Sequence, residues 1–265
     1  MQIGVFDSGL GGLAVGHAIM RRLPNYDYLY LGDTKRVPYG VRSQAAVHEF
    51  VAQALEFMFS QDCGIVILAC NTASAESLRK TQQEYLPRHY PDRRVLGVVI
   101  PTVEEAIAQG PDSTVGVLAT TSTVESDAYG RELRRQRGDG RVIQQPAPLL
   151  VPLIENDGIR YIEPVLDDYL RPLREQGAET ILLGCTHYCM IKEMVRRKVA
   201  VPVISQDEVI PSKLADYLVR HPEIESSLAK RGARRYCVTD LTSTYLSLAK
   251  SVTGTDLELE LVGIE

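Results

Sequence analysis

The sequence predicts an α/β fold of mainly parallel sheets flanked by helices, and three observations carry the prediction. Apolar runs of strand length recur, longer amphipathic stretches separate them, and the pattern of the first half returns in the second. The runs fall at residues 3–6, 28–31, 65–69, 95–100, 115–118, 181–183 and 201–204. Unbroken apolar runs suit strands buried on both faces, as in parallel sheets, and stretches such as 47–59 and 162–174 have the helical spacing to cover those faces. The repeat pairs IGVFDSG (3–9) with VGVLATT (115–121) and IVILACNT (65–72) with TILLGCTH (180–187), and the spacing from Gly4 to Cys70 nearly equals that from Gly116 to Cys185. Two similar halves facing each other are therefore predicted. Beyond residue 206 the pattern predicts a helix to residue 220, a short strand at 236–238 and a last helix at 241–251, packed on one of the halves.

Composition narrows the class. The 265 residues are 45% hydrophobic and 24% charged, as in folded water-soluble proteins, with length enough for one large domain or two modest ones. A net charge of −5 gives no footprint for a nucleic-acid partner, and the basic clusters at 131–137 and 196–198 alternate with other residues as solvated helix faces do. There is no apolar run long enough for a membrane span and no basic, then apolar leader at the start, so a cytoplasmic protein is expected. Five cysteines in a chain of this size point to free thiols rather than disulfides. Cys185 and Cys189 lack a second ligand pair, so no metal site is expected.

In open parallel sheets, ligands bind at the carboxyl ends of the strands, where Asp7, Ser8, Cys70, Asn71, Thr72, Thr120, Cys185, Thr186 and His187 all fall. DSGLGG (7–12) has the glycines of an anion cradle but is neither a dinucleotide fingerprint nor a P-loop; its N–H groups could hold a carboxylate, and Asp7 reads equally as a helix cap or a catalytic acid. ACNTAS (69–74) puts Cys70 where a strand meets a helix, which predicts a thiol pKa below the ordinary ~8.5 and a candidate base or nucleophile, against the plainer reading of core filling. GCTHY (184–188) repeats the arrangement and adds His187, a proton relay beside a thiol or, taken alone, a cap or core residue. VPYG (37–40) reads as a turn. Glu155 ends a run too apolar for the surface, so its carboxylate is paired or functional. Cys63, Cys189 and Cys237 read as structural thiols.

With DSGLGG, VPYG, ACNTAS and LGCTHY in this order, and YCVTDLTSTYLSLAKSV towards the C-terminus, the chain resembles the glutamate racemases of bacterial cell-wall synthesis over nearly its whole length. The related aspartate racemases share the paired cysteines but usually carry Glu where His187 stands. The resemblance implies two pseudo-symmetric α/β domains, 1–97 plus 206–265 and 98–205, with the active site between them. It implies a homodimer, glutamate as substrate, and neither pyridoxal phosphate nor metal. Cys70 would take the α-proton of D-glutamate assisted by Asp7, and Cys185 that of L-glutamate assisted by His187. Ser8, Tyr39, Gly40, Asn71, Thr72, Thr120, Thr123 and Thr186 would hold the substrate, with Glu155 near the histidine. Three positions depart from the family pattern: Cys189 where proline is frequent, ISQDE (204–208) in place of a more usual IDS, and Ala119 where glycine is common. Two other classes remain open on the residues alone. A non-catalytic acidic-amino-acid binding protein would not need a thiol in each half, and a Cys–His hydrolase would leave Cys70 idle.

Overall fold

The computed structural model describes residues 1–138 and 140–264. Among the described residues ten strands form: β1 (Gln2–Asp7), β2 (Tyr28–Gly32), β3 (Cys63–Leu68), β4 (Arg94–Gly97), β5 (Val115–Ala119), β6 (Val142–Pro146), β7 (Thr180–Gly184), β8 (Val203–Ile204), β9 (Arg234–Val238) and β10 (Leu259–Leu261). They make two sheets, in the orders β10-β9-β2-β1-β3-β4 and β6-β5-β7-β8, and every pairing is parallel. Without its two added edge strands the first sheet reads β2-β1-β3-β4, the same order as the second, so the repeat in the sequence is a repeat of topology.

Burial on both faces explains the apolar runs. Along β1, β2 and β3, Ile3, Val5, Tyr28, Tyr30, Ile65 and Ile67 face one core, under the helices Gly12–Arg22 and Gln206–Arg220. The alternating Phe6, Leu29, Leu31, Val66 and Leu68 face another, under Gln44–Ser60 and Asn71–Lys80. In the second sheet Leu118, Ile143, Ile181 and Leu183 pack beneath the helix Ile162–Glu175, and Val115, Val117 and Leu182 beneath Val99–Gln109 and Ala128–Arg137.

The main differences from the sequence reading fall in four places. The run at 95–100 splits: the strand stops at Gly97, the Val98 N–H leaves the sheet to donate to Ser74 Oγ at 3.1 Å, and a helix begins at Val99. A short apolar run does not distinguish a buried strand from the buried face of a helix. The run at 201–204 shortens to Val203–Ile204. The last helix is Ser243–Thr253, started by Thr242, whose Oγ1 accepts the Tyr245 N–H at 3.3 Å. Edge strands β6 and β10 carry Gln144, Gln145 and Glu260 and are only partly buried, so no apolar run announces them.

The helices after β1, β3, β5 and β7 all begin at the same edge of their sheets. In each sheet the chain passes from the central strand to one side and returns to the other, which places a crevice between the carboxyl ends of β1 and β3 and between those of β5 and β7. Leu182 is fully buried at the middle of the second sheet, whereas Val219 is 81% exposed. Urea denaturation should show Leu182→Ala losing about 2–5 kcal/mol and Val219→Ala less than about 0.5 kcal/mol; similar losses would contradict the assigned core.

Candidate active site

Asp7 ends β1 and is completely buried, so its carboxylate must find donors inside the protein. Oδ2 accepts the N–H groups of Gly9 (3.1 Å) and Gly12 (3.0 Å), and Oδ1 accepts the Thr186 hydroxyl (3.1 Å) from the other half of the molecule. The glycine N–H groups read as a ligand cradle are thus held, at Gly9 and Gly12, by the protein's own carboxylate, which caps the helix Gly12–Arg22. Burial pushes the Asp7 pKa up, against the nearby positive charge of His187 and these three hydrogen bonds.

Cys70 follows β3 and caps the helix Asn71–Lys80: its Sγ accepts the Ala73 N–H at 3.5 Å and lies 3.4 Å from Ser8 Oγ. The expectation of a lowered thiol pKa at this helix start is overturned. Burial pushes Cys70 up to about 12 and the Asp7 charge adds to the rise, outweighing the hydrogen bonds from Ser8 and Ala73. The helix terminus offers a fraction of a charge; loss of hydration in a buried site costs more.

Cys185 follows β7 and begins the 3₁₀ turn Thr186–Ile191. His187 turns back so that Nδ1 lies 3.8 Å from Cys185 Sγ and Nε2 lies 2.8 Å from Glu155 Oε1. Burial alone would lower the His187 pKa, but the hydrogen bonds and charges of Cys185 and Glu155 hold it well above its usual value. The carboxylate left open in the sequence as paired or functional is paired, with the histidine. The fit here is tight: a Cβ on Gly11 would stand 2.6 Å from His187 Nδ1, so only glycine lets the first half approach the imidazole this closely.

The three threonines meet across the halves. Thr72 Oγ1 is 3.1 Å from Thr120 Oγ1 and 3.3 Å from Thr123 Oγ1, and the Thr120 hydroxyl donates to Thr123 at 2.9 Å. Gly40 sits against Thr120, where a Cβ would come within 2.6 Å of the threonine Cβ. Tyr39 is fully buried and its hydroxyl donates to Asp33 Oδ2. Asn71 gives its side-chain amide to Gln206 and Tyr129; Cys70 takes the Ala73 N–H through Sγ and the Ser74 N–H through its carbonyl, which leaves the first-turn N–H groups of Asn71 and Thr72 for a ligand.

Ser8, Tyr39, Gly40, Cys70, Asn71, Thr72, Thr120, Cys185, Thr186 and His187 line one cavity, and Val37, Pro38 and Val151 complete its wall. Asp7, Thr123 and Glu155 stand behind that lining, each bonded to a residue of it. Val151 was missed by sequence reasoning although a signal existed: it lies four residues before Glu155 and therefore on the same helix face. The cavity holds about 20 Å³, room for about one water. Its walls supply hydroxyl and N–H donors for anionic groups, and a thiol from each half for proton transfer.

Known proteins resemble this chain in sequence and fold. Residues 14–209 match the family model described as Asp/Glu/hydantoin racemase. The chain is 34% identical over 262 residues to a glutamate racemase of Persephonella marina, covering 98% of this chain and 96% of that one. Its fold is similar to the solved glutamate racemase of Francisella tularensis in complex with D-glutamate (TM-score 0.88, 31% identity, 100% and 98% of the two chains). It is also similar to that of Bacillus anthracis (TM-score 0.90, 30% identity, 99% and 97%). A match over most of the length, on a fold with a thiol at the end of the equivalent strand in each half, leaves one assignment: the chain belongs to the Asp/Glu/hydantoin racemase family.

Proposed function

We propose that this protein interconverts L- and D-glutamate by a two-base mechanism and supplies D-glutamate for peptidoglycan. The observation that carries the reading is the pair of thiols: Cys70 and Cys185 end equivalent strands of the two sheets and line the same cavity. A single base on one face of the α-carbon is poorly placed both to remove a proton and to return one to the opposite face; two opposed thiols are not. The relatives named above are glutamate racemases, one solved with D-glutamate bound.

The electrostatics support unequal resting roles. His187, held well above its usual pKa, places an imidazolium 3.8 Å from Cys185 Sγ, while burial and the Asp7 charge push the Cys70 thiol up. In this state Cys185 takes the α-proton of L-glutamate as the Cys70 S–H delivers its proton to the other face. The products are D-glutamate, a Cys185 thiol and a Cys70 thiolate, and D-glutamate is turned over from that second state. Charge developing on the α-carboxylate meets the hydroxyls of Ser8 and Thr72 and the N–H groups of Asn71 and Thr72, where a single well-placed donor is worth about 3 kcal/mol. Neither pyridoxal phosphate nor a metal has a step in this scheme. We also propose the family's homodimer and a cytoplasmic location; among the described residues no helix is long and apolar enough to cross a membrane.

Purified protein incubated with L-glutamate in D₂O should lose optical rotation and gain one α-deuterium per inversion. Cys70→Ser and Cys185→Ser should each lose more than about 100-fold in kcat while still binding glutamate; full turnover in either variant would eliminate the two-base scheme. Alkylation by iodoacetamide should be slow at Cys70 near pH 8 and accelerate as pH rises towards 12. Asp7→Asn should accelerate it at any given pH, because removing the neighbouring negative charge lowers the thiol pKa. The same raised pKa makes stability linked to Cys70 fully present below about pH 8.5 and lost as pH climbs from there towards 12, where the unfolded chain ionises its thiol and the folded one does not. Urea midpoints for wild type and Cys70→Ser across pH 8–10 would check the slope.

A further inference from the structure

Two departures from the family pattern, far apart in sequence, touch in the structure. Cys189 lies four residues after Cys185 in the turn that carries His187, and Ser205 opens the ISQDE departure ahead of the helix Gln206–Arg220. The Ser205 hydroxyl lies 3.3 Å from Cys189 Sγ and 2.5 Å from Asp207 Oδ1, the Asp207 N–H also bonds the Cys189 sulfur, and Asp207 is ion-paired to Lys192 at the end of the same turn. Ser205 is fully buried.

The next residue reaches in another direction. Gln206, fully buried, accepts from Asn71 Nδ2 at 2.8 Å and donates through Nε2 to Asn71 Oδ1 at 2.5 Å and to the Tyr129 hydroxyl at 3.0 Å; Tyr129 in turn donates to Asn71 Oδ1 at 2.6 Å. Asn71 directly follows Cys70. Three consecutive residues, Ser205, Gln206 and Asp207, therefore hold the side chains of Asn71, directly after Cys70, and of Cys189, four residues after Cys185, and they do so from the start of one helix. That helix is anchored on the first half, its Ile210, Leu214 and Leu218 packing with Leu13, Ile19 and Met20 of Gly12–Arg22.

We propose that residues 205–207 form a strut that sets the separation of Cys70 from Cys185, with Gln206 and Ser205 as positioning residues for both. The strut replaces by hydrogen bonding the stiffness that a proline at position 189 would give the turn. The amide pair is well suited to the task. The side-chain O and N atoms of Asn71 and Gln206 each have a partner within the Asn71–Gln206–Tyr129 group, so a shift of either amide leaves a buried polar atom unpaired. Proton transfer between fixed thiols and a carbon between them is sensitive to that geometry.

The inference of a catalytic consequence rests on the two-thiol reading; the positioning itself does not. The test compares the full-length wild type with Gln206→Ala, Ser205→Ala and the conservative Ser205→Thr. It measures kcat and KM for L-glutamate, the thermal midpoint, and amide hydrogen exchange of peptides spanning 69–75 and 185–191. Gln206→Ala should lower kcat roughly 10- to 100-fold with KM within about 3-fold, and speed exchange in the 69–75 peptide, with the helix at 44–60 unchanged. Ser205→Ala should act chiefly on the 185–191 peptide, and Ser205→Thr should resemble wild type in both readouts. Unchanged exchange in both peptides, or faster exchange over the whole chain with a matching fall in thermal midpoint, would overturn the strut. Local exchange changes with no turnover of glutamate by wild type would uphold the strut and overturn the glutamate reading.

Discussion

A carboxylate sealed from water at the end of a strand has to find its donors within the protein, and Asp7 finds them on both sides of the cleft. Its own half supplies Gly9 and Gly12 from the start of a helix; the other half supplies Thr186, the residue after Cys185. That one group ties the two sheets together at their carboxyl ends, raises the pKa of the Cys70 thiol, and sets a negative charge opposite the imidazole of His187.

The duplicated topology is accompanied by unequal chemistry. Both thiols stand at the end of the third strand of a β2-β1-β3-β4 type sheet, yet Cys70 caps an α-helix while Cys185 opens a 3₁₀ turn. The turn brings an imidazole back onto Cys185, and Glu155 fixes that imidazole from behind. Cys70 instead has a carboxylate and a hydroxyl as neighbours. A symmetric frame therefore holds one thiol beside an imidazole and the other beside a carboxylate.

The α/β class, the parallel sheets and the repeat were legible because burial on both faces of a parallel sheet forces unbroken apolar runs, as in β1, β3, β5 and β7. Edge strands β6 and β10 were not legible, since an edge needs no such run. At the site, the strand-end positions Asp7, Cys70, Cys185 and His187 could be read from motif and placement. The direction of the Cys70 pKa could not, because it depends on how completely the second half covers the first.

The sequence by itself determined which residues stand at the strand ends, since those follow from local patterning along the chain. Only the tertiary structure decided their partners. Asp7 with Thr186, Glu155 with His187, Gly40 with Thr120, and the joining of Cys189 to Ser205 and of Asn71 to Gln206 are contacts between segments distant in sequence. Hydrogen bonding and desolvation act through space, and no spacing along a single chain encodes which buried donor a folded backbone will bring to which acceptor.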